Sequence, residues 1–494
     1  MRKLLVVGLG LLLTGGVMPV AAAEPGKVSG IQWHGCQTGP DDKEGADLDR
    51  AGAQCGELLV PLDYGRPQGP KIQVAMSRLK ATGDRIGTMV LNDGGPGGPG
   101  RGMPLDLRKA MQEVGSRYDL IGMDPRFVGR STPLDCKWPV GSGLWSAGAT
   151  RASFERGARF QADLAKRCAD NQGELLPHVT TRNTARDIDQ IRAALGEEKI
   201  SYLGYSYGSY LGSVYLQMFP DRLDRVVLDG PIDPDQYGPG LLRTVGPANE
   251  AALRAWAGWA AKRDRTYHLG RTTDQVMAKV QRIYRASSER PLRVGRHSLD
   301  DRIVPALLMS SLGDDRDPSR MIVADLIQTL LKATTGPVQP GEEFGQLLEM
   351  LFGSEMSAGA SAQIAIICGD RAASGNPNTY WRDIQRHRKS EPHFGALTRN
   401  LLACAFWPGK PLEQPTRVAN AVPALIVAAD GDPRTTYPQA RVLHKLLTES
   451  RLVTLRNART HGVFGEYGNE CVDRLVIDYL GSGTLPSTDR TCHA

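Results

Sequence analysis

No two of the eight cysteines form a Cys-x-x-Cys pair, so the common spacing of a structural zinc site or a redox dithiol is missing. No run of Lys and Arg interrupts the even mixture of charges. The formal net charge of +6 falls to about +4 without Arg2 and Lys3, and nucleic acid is not expected as a partner. Past the amino terminus no apolar stretch approaches the roughly 20 residues that cross a bilayer. Internal repeats are also missing. With 41 % apolar and 23 % charged residues, the 494-residue chain has an ordinary globular composition, enough for one elaborate domain or two or three simpler ones.

What the chain does have begins at its first residues, "MRKLLVVGLGLLLTGGVMPVAAAEPGK". Two positive charges, an apolar stretch over 4–13 and small residues ending in Ala21, Ala22 and Ala23 read as a secretory signal over 1–23, cleaved after Ala23. The stretch is too short for a membrane anchor and is interrupted by Gly8, Gly10, Gly15 and Gly16. No cysteine near the cut offers a lipid attachment point. The mature protein is therefore expected outside the cell, soluble and monomeric. Cys36, Cys55, Cys136, Cys168, Cys368, Cys404, Cys471 and Cys492 form an even set that suits disulfides in that compartment. Sequential pairing would close four local loops, but eight cysteines allow about 105 connectivities. One or two free, buried thiols are the alternative.

Apolar runs at 72–79, 88–91, 118–123, 200–203, 225–228, 424–428 and 452–455 read as strands, and helical spacing over 106–114, 154–168, 184–195, 209–219 and 438–447 separates several of them. That alternation predicts an α/β fold, a mostly parallel sheet covered on both faces. Between 234 and 402 the texture becomes helical, as in "EAALRAWAGWAAK" and "RMIVADLIQTLLKA", without clear strands. The expected organisation is a core over 24–233, a helical insertion over 234–402 lying on the sheet, and a second core segment over 403–494.

Chemistry concentrates at "ISYLGYSYGSYLG", residues 200–212. Gly-x-Ser-x-Gly alone is a weak signal. Between a buried strand and a helix it marks a sharp turn that lifts a serine hydroxyl above the sheet, with glycines where strand and helix crowd together. Ser206 is thus the candidate nucleophile. A hydroxyl needs a base, and the base an orienting carboxylate. His461, in "LVTLRNARTHGVFGE", follows the last expected strand and precedes the terminal helix. Asp432, in "PALIVAADGDPRTTYPQA", follows the strand before it, with Asp430 as the turn-former. The order Ser, Asp, His is that of an α/β-hydrolase. "VLNDGGPGGPGRG" is rich enough in glycine for backbone N–H groups to face a ligand, which makes Gly95 and Tyr207 the expected oxyanion donors. The run lacks the Gly-Lys-Ser/Thr ending of a phosphate loop. No metal or cofactor is implied.

The motifs "NDGGPGG", "YDLIGMDPRFVGRST", "TTRNTARDIDQIRAALGEEKISYLGYSYGSYLG", "AIICGD", "CAFWP", "GDPRTTYPQA" and "THGVF" with Cys471 resemble the secreted tripeptidyl aminopeptidases of actinobacteria, relatives of prolyl aminopeptidase. The resemblance covers nearly the whole mature chain. It implies an α/β-hydrolase core, Ser206, Asp432 and His461 as catalytic residues, Gly95 and Tyr207 as oxyanion donors, and four sequential disulfides. Such enzymes remove short peptides from free amino termini or hydrolyse other small amides and esters, so the expected substrate is a peptide or a small-molecule amide.

Four positions depart from the family pattern. Asp93 replaces a proline, Phe127 a glycine, Pro99 a common serine, and Thr436 a frequent proline. Asp93 and Phe127 are expected to shape substrate binding, with Phe127 narrowing the acyl pocket. An exopeptidase also needs carboxylates for the substrate ammonium. The insertion offers Glu342, Glu343, Glu349 and Glu355, none of which is assigned because helix-surface Glu is usually just solvated.

Overall fold

In the computed structural model, which describes residues 30–494, ten strands of those residues join in one sheet. They are β1 (Gln32–His34), β2 (Gln54–Pro61), β3 (Lys71–Leu79), β4 (Gly87–Asn92), β5 (Tyr118–Met123), β6 (Ile200–Tyr205) and β7 (Leu223–Asp229). After a separate hairpin of β8 (Leu292–Val294) and β9 (His297–Leu299) come β10 (Leu425–Ala429), β11 (Arg451–Arg456) and β12 (Arg490–His493). The spatial order is β1-β2-β3-β5-β4-β6-β7-β10-β11-β12. Pairings from β1 to β5 are antiparallel and those from β5 to β12 parallel. The expected signal at 1–23 lies outside the described residues.

Side chains of the central strands alternate between two cores. Met89, Leu91, Leu203, Val227 and Val427 face a layer built on helices Met103–Ala110 and Glu470–Ser482. Val90, Tyr202, Leu228 and Ile426 face helices Thr181–Ala194, Tyr207–Met218 and Tyr437–Leu446. With both faces covered, these strands read as unbroken apolar runs, and that is why the sequence showed them. The result is the α/β-hydrolase arrangement. Ser206 follows β6, and the Asp432 and His461 loops follow β10 and β11.

Two features differ from expectation. The helical layer over the sheet is not made by 234–402 alone, because the excursion between β5 and β6 joins it. The Cys136 and Trp138 N–H groups donate to Ser361 Oγ (3.2 Å) and Ser357 Oγ (2.7 Å), and Ala147 N–H donates to the Ala396 carbonyl (2.7 Å). Helix Arg151–Gln172 therefore belongs to the cap, with Trp145 edge-on to Phe352. Second, β11 is not the last strand. The terminal helix Glu470–Ser482 is followed by β12, whose Cys492 is bonded to Cys471 on that helix. The other disulfides are Cys36–Cys55, Cys136–Cys168 and Cys368–Cys404, and no free thiol is left among the described residues.

Candidate active site

β6 ends at Tyr205 and helix Tyr207–Met218 starts one residue later, so Ser206 makes the whole turn, at φ 54° and ψ −120°. Such a backbone costs a non-glycine residue about 1–3 kcal/mol and persists only where its surroundings enforce it. Here they do. A Cβ on Gly204 would lie 2.5 Å from the Gly208 carbonyl oxygen, and one on Gly208 would lie 2.7 Å from that of Asn92. Ser206 N–H donates to the Asp229 carbonyl (2.8 Å), tying the turn to the end of β7.

Asp432 is buried just past β10. Its Oδ1 accepts the N–H groups of Arg434 (2.6 Å) and Thr435 (3.0 Å), and its Oδ2 accepts the Thr435 hydroxyl (2.8 Å). The remaining donor is His461, whose Nδ1 stands 3.0 Å from Oδ2. A carboxylate only accepts, so the proton sits on Nδ1 and the Nε2 lone pair is free. Ser206 and His461 converge on Gly230. A Cβ placed there would lie in ordinary contact with His461 Cε1 (3.4 Å) and Ser206 N (3.5 Å) and tight against Thr435 Oγ1 (3.1 Å), and the φ of 61° favours glycine. Neither Ser206 Oγ nor His461 Nε2 has a protein partner among the described residues. Thr435 was not singled out from the sequence, although a Thr three residues after an Asp is a turn signal.

The Gly-rich loop after β4 passes directly over the elbow. At Gly94 (φ 101°) a Cβ would lie 2.5 Å from the Tyr205 carbonyl and 3.2 Å from Tyr207 N. The N–H groups of Gly95 and Tyr207 donate to no protein acceptor among the described residues. Cap helix Ser357–Asp370 roofs the loop, with Gln363 against Gly97. The same helix ends on Asp370, which accepts the Thr181 N–H (2.7 Å) and hydroxyl (2.5 Å), and the Thr181 hydroxyl oxygen lies 2.7 Å from Tyr207 OH. Burial pushes the Asp370 carboxyl up to about 7. This chain of hydrogen bonds holds the side chain of Tyr207, the residue that follows Ser206.

Asp93 stands beside His461. Its side chain is exposed, yet partial desolvation by the surrounding protein raises its carboxyl above the ordinary range, and His461 pulls the other way. Glu466, which the sequence did not single out, is also raised, by burial first and by Asp93 second, and its side chain folds back over Gly462. Neither carboxylate has an ion-pair or hydrogen-bond partner among the described residues. Of the insertion glutamates, Glu349 is taken up by Arg296 and His297.

Phe127 calls for a correction. It is 2 % exposed, packed in the core with Val128 and Leu134, so its ring offers no surface to a substrate. Its φ of 69° explains why glycine suits the position. Phe127→Gly is expected to lower stability by about 2–4 kcal/mol, a cavity cost of about 3–5 offset by about 1 of relieved strain. Denaturant titration measures the loss, and an unchanged preference among acyl sizes would confirm that the ring does not line the pocket.

The family model described as "TAP-like protein" matches residues 391–492, the segment that carries Asp432 and His461. The chain is 33 % identical to the tripeptidyl aminopeptidase of Streptomyces lividans over 96 % of its own length and 88 % of that protein. It is 31 % identical to serine protease Hip1 of Mycobacterium tuberculosis, over 95 % of this chain and 92 % of the relative. Carboxylesterase B of the same species is 29 % identical over 89 % and 86 %. With the elbow, the sheet order and similarity along nearly the whole chain in agreement, this protein is a serine hydrolase with the α/β-hydrolase fold and belongs to the tripeptidyl aminopeptidase family.

Proposed function

We propose that Ser206, His461 and Asp432 work as nucleophile, base and orienting acid of an exported aminopeptidase that releases short peptides from free amino termini. The observation that carries this reading is the pairing of His461 with Asp432 beside a Ser206 that faces two unpartnered N–H groups. His461 Nε2 takes the Ser206 proton as Oγ attacks the carbonyl carbon. The oxyanion receives hydrogen bonds from Gly95 and Tyr207, and the amine leaves with the proton from His461. Water then attacks the acyl-enzyme by the same route. All these groups come from one chain, so a monomer suffices. Four disulfides and the amino-terminal pattern support export.

Free-amine selectivity is assigned to Asp93 and Glu466, two carboxylates without counter-ions beside the base. The test is a tripeptide anilide with a free amino terminus against its N-acetylated twin. Loss of the ammonium contact should reduce kcat/KM for the capped form by about 100-fold, on the order of 3 kcal/mol. Equal or better cleavage of the capped form would instead favour an amide or ester hydrolase that unmasks a small molecule. The 29 % identity to a carboxylesterase is what supports this second reading.

A further inference from the structure

We infer that Asp229 is a positioning residue that sets the base against the nucleophile, one residue holding both catalytic loops. Its carbonyl accepts the N–H of Ser206 at 2.8 Å. Its carboxylate accepts the N–H groups of Val463 (3.1 Å) and Phe464 (2.7 Å), two and three residues beyond His461. The histidine loop needs such an anchor. It runs between β11 and the terminal helix without regular structure, and Gly462 (φ 85°) and Gly465 (φ 68°) flank the anchored pair. On the core side it is also tied by Tyr205 OH, which donates to the Phe464 carbonyl at 2.7 Å, and by the Ala458 carbonyl, which accepts the Gly431 N–H at 3.0 Å. On the cap side His461 N–H donates to the Gly313 carbonyl at 2.9 Å.

Asp229 is fully buried, and the groups facing it are Tyr205 on β6, His461 and the two N–H donors on the loop after β11, and Asp432 after β10. Burial and Asp432 raise its carboxyl while the N–H donors and His461 lower it, leaving it at about 7. The ionised carboxylate accepts the Val463 N–H on both oxygens, Oδ1 at 3.2 Å and Oδ2 at 3.1 Å, and the Phe464 N–H on Oδ2, so a proton on Oδ1 costs one of these contacts. Below its midpoint a proton competes with these bonds at one oxygen and loosens the loop that carries His461. Activity should thus fall by a further, limited factor on acidification through that midpoint.

The inference rests on Ser206 and His461 as nucleophile and base, and its test needs no knowledge of the substrate. The second-order rate of Ser206 labelling by a fluorophosphonate is measured against pH for the wild type and Asp229→Asn, with Ser206→Ala alongside. The ratio of the wild-type rate to that of Asp229→Asn should shrink as the pH falls through the Asp229 midpoint, because the protonated wild type comes to resemble the amide. Asp229→Asn, whose amide N–H₂ opposes an N–H donor, should show a plateau lowered about 10- to 100-fold. A rate ratio that stays constant with pH, or an asparagine variant with the wild-type plateau, overturns the inference while leaving the catalytic assignment standing. Labelling that survives in Ser206→Ala overturns both. If the asparagine chain does not fold, Asp229→Glu, which keeps the charge but displaces the carboxylate from the Val463 and Phe464 N–H groups, should show the lowered plateau, and a wild-type plateau there overturns the inference.

Discussion

Asp432→Asn is expected to lower kcat by about 10⁴-fold with little change in stability. The backbone N–H groups of Arg434 and Thr435 both point at Oδ1, so the amide oxygen of an asparagine must take that place. Its N–H₂ then occupies the Oδ2 position, facing His461 Nδ1 and the Thr435 hydroxyl. The hydroxyl can rotate to accept. The imidazole can accept only by moving its proton to Nε2, where the base needs a lone pair. The ring keeps its place and loses its function, so kcat should fall while KM for a peptide anilide stays within a few-fold. A loss below about tenfold would mean that another carboxylate orients the base.

Much of this site was legible because a parallel sheet announces itself locally. β4, β6, β7, β10 and β11 are buried on both faces, and each catalytic loop begins where such an apolar run ends. The edges were not legible for the converse reason. β1 is three residues long, and β12, "RTCH", has no apolar pattern and owes its place to pairing with β11 and the bond to Cys471. Helix Arg151–Gln172 shows its periodicity plainly, but periodicity does not say which layer a helix joins. That was decided by Cys136 and Trp138, bonded to residues more than two hundred positions away. Thr435, Asp229 and Glu466 went unnoticed because their roles depend on loops that meet only in three dimensions. Phe127 was misplaced for a related reason, since a departure from a family pattern gives a position without giving its surroundings.

Gly94→Ala and Gly95→Ala are expected to separate two duties of the loop after β4. At Gly94 the added Cβ would press within 2.5 Å of the Tyr205 carbonyl and 3.1 Å of Ser206 Cβ, both fixed by the elbow, at a φ of 101°. Neither contact is the end of a flexible side chain, so the loop must lift off the nucleophile. Both donors lose their aim at the oxyanion, and kcat should fall by more than about 10³-fold with some loss of stability. At Gly95 (φ 105°) the Cβ would meet only its own loop, the N–H groups of Gly98 at 2.9 Å and Gly97 at 3.0 Å. One donor is disturbed while the elbow is untouched, so the loss should be about 10²- to 10³-fold in kcat at nearly constant KM. Gly52→Ala supplies the comparison, with φ at 77° and no atom within 4 Å of the added carbon. It should cost about 1 kcal/mol in denaturant titration and nothing in kcat. If Gly95→Ala behaved like Gly52→Ala, the second oxyanion donor would have to be sought elsewhere in the loop.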